Sequence, residues 1–326
     1  MKPNSFLPKV MTVLLIAVLL FACNTNPSGN QGKNEKGELQ GTISISGAFA
    51  LYPLTAKWAE EFQKQYPAIR IDISAGGAGK GMTDVLSGMV NLAMVSREIS
   101  QSEIDQGAWF LAVTKDAVLP TINNQNPVLD ELLKKGFTQE IFRELYLSDK
   151  THTWGEFLEL SDLNKINVYT RSDACGAAEM WGKYLGKNQE SLHGVGVFGD
   201  PGIADAVKND QYGIGFNNVI YAYDIKSRKK YEGMEVIPID LNGNRLIDAE
   251  ENFYENLDTI MRAIQTNKYP SPPARDLYLV CKGKPTNPVI IAFLEWILSD
   301  GQQYVHEGGY VQLPVEKISN EKLKLQ

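Results

Sequence analysis

RIDISAGGAGKG, residues 70–81, decides the fold class. Polar and apolar residues alternate from Arg70 to Ser74, the period-2 pattern of a half-buried strand. Gly76, Gly77, Gly79 and Gly81 follow, and a helical stretch runs on to Leu86. A strand emptying through a glycine-rich loop into a helix is one βα unit of an α/β sheet. Upstream, residues 42–46 (TISIS) alternate in the same way, and Leu51, Leu54, Trp58 and Phe62 recur at helical spacing. Downstream, residues 91–95 read as a third strand. This β-α-β-α-β order predicts an α/β sheet with crossover helices. The pattern restarts with a strand at 166–170, a helix from about 177 to 185, a helix at 201–207 and a short strand at 212–216. A strand at 276–280 and an amphipathic helix at 289–298 follow.

Three strand-to-helix loops share one character: SGAFA (46–50), SAGGAGKG (74–81) and RSDACGAA (171–178). Small residues ahead of a helix leave backbone N–H groups free to close on an anion. Arg171, in the third loop, adds a fixed positive charge. It reads either as a ligand clamp or as the structural partner of Asp173. Lys80 reads as a solvated helix-start residue, and Tyr52 and Trp58 as core.

The 326 residues are 43% hydrophobic and carry a net charge of −7. That length suggests about two domains. An acidic chain without a basic block is a poor nucleic-acid binder, so no nucleic-acid partner is expected. Three cysteines are too few for a disulfide scaffold. His152, His193 and His306 lie far apart, and HExxH, CxxC, Walker-A and GxSxG patterns are absent. No enzyme is expected, although a hydrolase built on Cys175 and a distant histidine stays open.

The first residues form an address. Lys2 and Lys9 precede an apolar run at 10–21, broken only by Thr12. It is short for a membrane span and fits the core of a signal peptide. LFAC (20–23) then resembles a bacterial lipobox, which implies a signal peptide at 1–22 and lipidation of Cys23. Residues 23–41 read as a flexible tether. The expected location is the cell envelope: extracytoplasmic, lipid-anchored, on the periplasmic side or the outer face. Loss of residues 1–22 leaves 30 basic against 39 acidic residues, a net −9.

Over residues 42–316 the chain resembles the PstS-type phosphate-binding proteins of ABC transporters. The resemblance rests on SG (46–47), YPL (52–54), KW (57–58), the 74–81 loop and MVSR (94–97). It continues in RSDACG (171–176), GIG (213–215), YP (269–270), RDLY (275–278), FLEW (293–296), GQQ (301–303) and GGYVQLP (308–314). It implies a two-lobed type II periplasmic binding protein fold with two hinge crossovers. Lobe 1 would be 42–118 plus 276–316, lobe 2 would be 119–275, and 317–326 a tail. An anion such as phosphate would sit between the lobes, an ABC permease would be the partner, and no cofactor would be required.

By the same resemblance the ligand set is Ser46, Ala48, Phe49, Ala78, Gly79, Ser96, Arg97, Arg171, Asp173, Cys175, Gly176 and Ala177. The pocket departs from the family pattern, however. Cys175 replaces a serine, Ala177 a threonine, Phe49 a hydroxyl residue and Ala78 a serine, and Ser96 stands where some members have an acid. Two ligands therefore stay open: an oxyanion held by backbone, Arg171 and Ser46, or a different small solute with an apolar part. A sensor that uses the same cleft without transport is a further alternative.

DLNGNRLIDAEE (240–251) resembles an EF-hand-type calcium loop. Asp240, Asn242, Asn244, Asp248 and Glu251 fall at positions 1, 3, 5, 9 and 12, and Leu246 offers its carbonyl at 7. Arg245 stands where the motif wants glycine. Three carboxylates in one loop repel unless a cation is present, so the reading is a structural Ca²⁺ followed by a helix over 253–264. The competing reading is a solvated Asn-Gly turn.

Overall fold

The computed structural model describes residues 32–33 and 37–326. The expected signal peptide, Cys23 and most of the tether lie outside the described residues. Among the described residues ten strands run in chain order: β1 (Gly32–Lys33), β2 (Leu39–Gly47), β3 (Ile69–Ala75), β4 (Leu92–Val95), β5 (Ala108–Asn123), β6 (Asn167–Arg171), β7 (Val195–Val197), β8 (Gly213–Asn218), β9 (Met234–Val236) and β10 (Ala274–Lys282). Their order is β1-β2-β4-β10-β5-β8-β6-β7, with β3 on β2 and β9 on β5. β2 is parallel to β3 and β4. β6 is parallel to β7 and β8.

Between these two parallel groups stand the antiparallel strands β5 and β10. β5 is 16 residues long. Its first part pairs with β10, and from Val118 to Ile122 it pairs with β8. One continuous strand thus serves both halves. The apolar residues gather accordingly into two cores. One contains Ile43, Trp58, Phe62, Leu111, Leu279 and Phe293. The other contains Val118, Phe142, Trp154, Trp181, Phe216 and Tyr269. The fold is a mixed α/β, two-lobed architecture with β5 and β10 as its joining strands. A register shift between Leu277 and Tyr278 interrupts the β5–β10 ladder inside the first lobe. Such a bulge adds local bend and twist.

The strands read at 42–46, 70–74 and 91–95 lie within or against β2, β3 and β4. β5 carries no readable alternation because most of its positions on both faces are buried. The helix expected over 253–264 begins only at Leu257. Asn256 caps it: its side chain accepts from Thr259 N at 3.0 Å, and Thr259 Oγ1 accepts from Asn256 N at 3.1 Å. This reciprocal pair stops the helix from extending toward Phe253. The closing segment is the helix Val315–Leu325, with Leu325 buried in the first core.

Candidate functional site

The first two loops are stitched to each other and to β4. Ala48 N donates to Met94 O at 2.8 Å, and Gly76 N and Gly77 N both donate to Gly47 O. Gly47 has φ 133° and lies so close to the Met94 backbone that a Cβ would collide with it. Only glycine meets both demands. The helix Ala78–Leu86 then starts without a side-chain cap.

Two expected ligand residues are engaged elsewhere. Ser46 Oγ donates to Asp84 Oδ2 at 2.7 Å, so its one hydroxyl proton is committed within the lobe. Lys80 pairs with the same Asp84 carboxylate. Arg97 forms a two-pronged pair with Glu103, at 2.9 and 2.6 Å, and donates to Glu98 O. Its guanidinium is thus engaged with the short helix Gln101–Asp105. The capping box of Ser100 and Glu103 explains this, because it fixes the carboxylate within reach of Arg97.

In the third loop Arg171 is the centre. Nε and Nη2 donate to the two oxygens of Asp173 at 2.8 and 2.6 Å. Nη1 donates to Asp200 Oδ2 at 2.8 Å. The guanidinium thus meets two carboxylates and is almost wholly buried. Three of its five N–H bonds are used and two remain. Burial raises the Asp200 carboxyl above its ordinary range, against the pull of Arg171. Asp200 went unread in the sequence. Its one signal is an acid in the first turn of the helix Gly199–Asn209, a place where acids are common for reasons of helix dipole alone.

The loops of the two lobes meet. Gly79 N donates to Ala174 O at 3.1 Å. A Cβ at Gly77 would lie 2.8 Å from Asp173 Oδ2, and one at Gly176 would strike the carbonyl and hydroxyl of Ser96. Lys183 pairs with Glu98 at 2.8 Å. Phe49 lies over Arg171 and packs edge-on against Phe198, with centroids 6.0 Å apart. Tyr221 OH donates to the Phe49 carbonyl at 3.3 Å. Ala48, Phe49, Ala78, Gly79, Ser96, Arg171, Asp173, Cys175, Gly176 and Ala177 are thereby gathered in one place.

Cys175 N-caps the helix Gly176–Tyr184, its sulfur accepting from Ala178 N at 3.4 Å. Gly176 and Ala177 are the next two positions, and their amides have no acceptor among the described residues. Free first-turn amides favour an anion. Burial pushes the Cys175 thiol up to about 12, against the attraction of Arg171. A thiolate nucleophile at neutral pH is disfavoured there.

The 240–251 loop closes on its own backbone. Asp240 accepts from Gly243 N at 2.7 Å and Arg245 N at 2.8 Å. Glu251 accepts from Leu241 N, Asn242 N and Asp248 N. Asp248 accepts from the side-chain amides of Asn242 and Asn244. The expected repulsion of three bare carboxylates is therefore relieved by amide donors. Among the described residues no three His, Cys, Asp or Glu side chains are grouped to hold a metal. Arg245 nevertheless takes φ 63°, the left-handed turn the motif assigns to glycine. Its guanidinium is tied to Phe157 O.

Comparison with known proteins follows the same outline. Residues 32–301 match the model of the PBP superfamily domain. The chain is 25% identical over 309 residues to the phosphate-binding protein PstS of a Staphylococcus aureus strain, covering 93% of this chain and 86% of that one. It is also 25% identical to PstS of Staphylococcus epidermidis over 312 residues, covering 93% and 87%. Among solved structures, a Clostridium perfringens protein described as a phosphate ABC transporter substrate-binding protein with bound phosphate superposes with a TM-score of 0.68. It is 20% identical, with coverage of 84% of this chain and 100% of that one. An ABC-type phosphate transport receptor from Vibrio cholerae superposes at 0.60, with 17% identity and coverage of 83% and 100%. Two lobes joined by two strands, with small-residue loops meeting between them, belong with that match over most of the chain: this protein is a member of the PBP superfamily.

Proposed function

We propose that the chain is the PstS-like solute-binding lipoprotein of an ABC importer and closes its lobes on phosphate or a related oxyanion. One observation carries this reading. The amides of Gly176 and Ala177 are without an acceptor among the described residues in the first turn after the Arg171 loop, where the loops of both lobes converge. The names of the similar proteins point to the same ligand. The chain's role is capture, and chemistry at Cys175 is opposed by the buried, protonated thiol. Lipidation at Cys23 would hold it at an extracytoplasmic membrane face, near its permease. No helix among the described residues is long and apolar enough to cross a membrane. Closure would desolvate the anion, which strengthens each charged hydrogen bond.

The test is titration calorimetry with phosphate, sulfate and a metabolite panel, on wild type and Arg171→Ala. Saturable phosphate binding, lost in the variant, is expected. Binding of an apolar-bearing solute in place of phosphate would overturn the ligand assignment. Release of the Cys23→Ser chain from the membrane fraction tests the anchor.

For the 240–251 loop we propose structural Ca²⁺, held by Asp240, Asn242, Asn244, the Leu246 carbonyl, Asp248 and Glu251. What supports this reading is that Arg245 takes the left-handed turn that the motif gives to glycine.

A further inference from the structure

A buried chain of polar side chains leaves the anion loops and ends at the strands that join the lobes. Arg171 Nη1 donates to Asp200 Oδ2 at 2.8 Å. Asn218 Nδ2 donates to Asp200 Oδ1. Arg275 Nη2 donates to Asn218 Oδ1. Arg275 Nε lies 3.0 Å from Asp116 Oδ1. All five residues are more than nine-tenths buried.

Their places in the fold give the chain a direction. Arg275 and Asp116 are cross-strand partners on β10 and β5. Two residues further on, Val118 pairs with Asn218 on β8. The relay therefore ends where β5 changes partner from one lobe to the other. Asn218 is suited to the middle of it. Arginine only donates and an ionised aspartate only accepts, so Arg275 must meet the amide oxygen and Asp200 the amide nitrogen. The Asn218 side chain is thus oriented from both ends. A change of angle between β5 and β10 would move Arg275, and through Asn218 it would move the carboxylate that holds Arg171. Arg275 also keeps Nη1 buried without an acceptor, and its Nε meets Asp116 Oδ1 as an ion pair rather than a hydrogen bond. Such a group suits an arrangement selected for more than stability.

Resting on the reading of Arg171 as the anion clamp, we propose that Asp200, Asn218 and Arg275 are positioning residues that couple Arg171 to the Asp116–Arg275 junction, so that anion capture and lobe closure are set together. Coupling of this kind requires an energetic test, since spatial continuity alone does not show it.

The experiment uses the full chain with inorganic phosphate as probe. Phosphate affinity is read by calorimetry and lobe closure by the radius of gyration in small-angle scattering, with urea unfolding as the check of folding. Asn218→Leu, which cuts both links, is expected to bind phosphate at least about tenfold more weakly. It should also have a larger radius of gyration without ligand. Arg275→Lys keeps the charge and should show a smaller loss of the same kind; it stands in if Asn218→Leu does not fold. Asp200→Asn combined with Asn218→Leu should lose less affinity than the sum of the two single losses. Strictly additive losses, or wild-type affinity and radius in both Asn218→Leu and Arg275→Lys, overturn the relay. If wild type itself binds no phosphate, the proposed ligand fails. The relay is then judged on the ligand-free radius alone, and unchanged values in both variants overturn it.

Discussion

The guanidinium of Arg171 lies 5.7 Å from the ring centroid of Phe49; Arg171 ends β6 and Phe49 follows the end of β2, strands of different lobes. An aromatic face over a buried cation is worth about 0.5–2 kcal/mol. This contact also brings Phe49 against Phe198 and Gly199 of the second lobe. Phe49 therefore contacts residues of both lobes. Phe49→Ala should weaken phosphate binding about 2- to 30-fold, the same energy expressed as affinity. Calorimetry decides this, and unchanged affinity would count against a role in closure.

Cys175 offers a chemical check on the non-enzymatic reading. Its thiol is buried and pushed up to about 12, so little thiolate exists at pH 7. Iodoacetamide should leave Cys175 unmodified in the folded chain and alkylate it readily in urea. Mass spectrometry of tryptic peptides reads the result. Rapid labelling of the native protein would revive the hydrolase.

The junction residue Asp116 makes stability depend on pH. Burial pushes its carboxyl up to about 7, against the pull of Arg275. The folded chain therefore holds this proton more tightly than the unfolded chain does. Stability from this group is greatest below about pH 4 and is lost as pH rises toward 7. Asp200, also raised by burial, acts in the same sense. The Tm of wild type should rise between pH 7.5 and 5.5 relative to Asp116→Asn. A flat difference between the two curves would show that Asp116 is ionised throughout.

The 240–251 loop predicts a cation response. Ca²⁺ should raise Tm relative to EDTA, and Glu251→Gln should remove most of the rise. Equal Tm in Ca²⁺ and EDTA would leave the amide-satisfied loop complete without a metal. Glu251 already joins Leu241, Asn242 and Asp248 through their amides. The variant should therefore also be less stable in EDTA, by about 1 kcal/mol or more.

Much of the scaffold was legible because its signals are local. Alternation at 70–74, four glycines and a helical period identify a βα unit without reference to any other segment. The three loops and Arg171 could be read for the same reason, as could the pairing of Arg171 with Asp173 two residues away. Ser46 and Arg97 enter the expected ligand set by resemblance to the family, and a resemblance does not show which partners they meet. Asp84 lies 38 residues from Ser46, and it takes the hydroxyl proton. For Arg97, the capping box at Ser100 was the local cue that Glu103 would claim the guanidinium.

By itself the sequence determined the α/β class, the loops ahead of helices and the twelve-residue pattern at 240–251, all consequences of spacing within a few turns of chain. Only the tertiary structure decided which charges share a proton or a hydrogen bond. Arg171 meets Asp200 across 29 residues, and Arg275 meets Asp116 across 159. Such partners are chosen by burial, where a charge without a counter-charge is costly. Burial in this chain follows from β5 crossing between two cores, which no short stretch of sequence records.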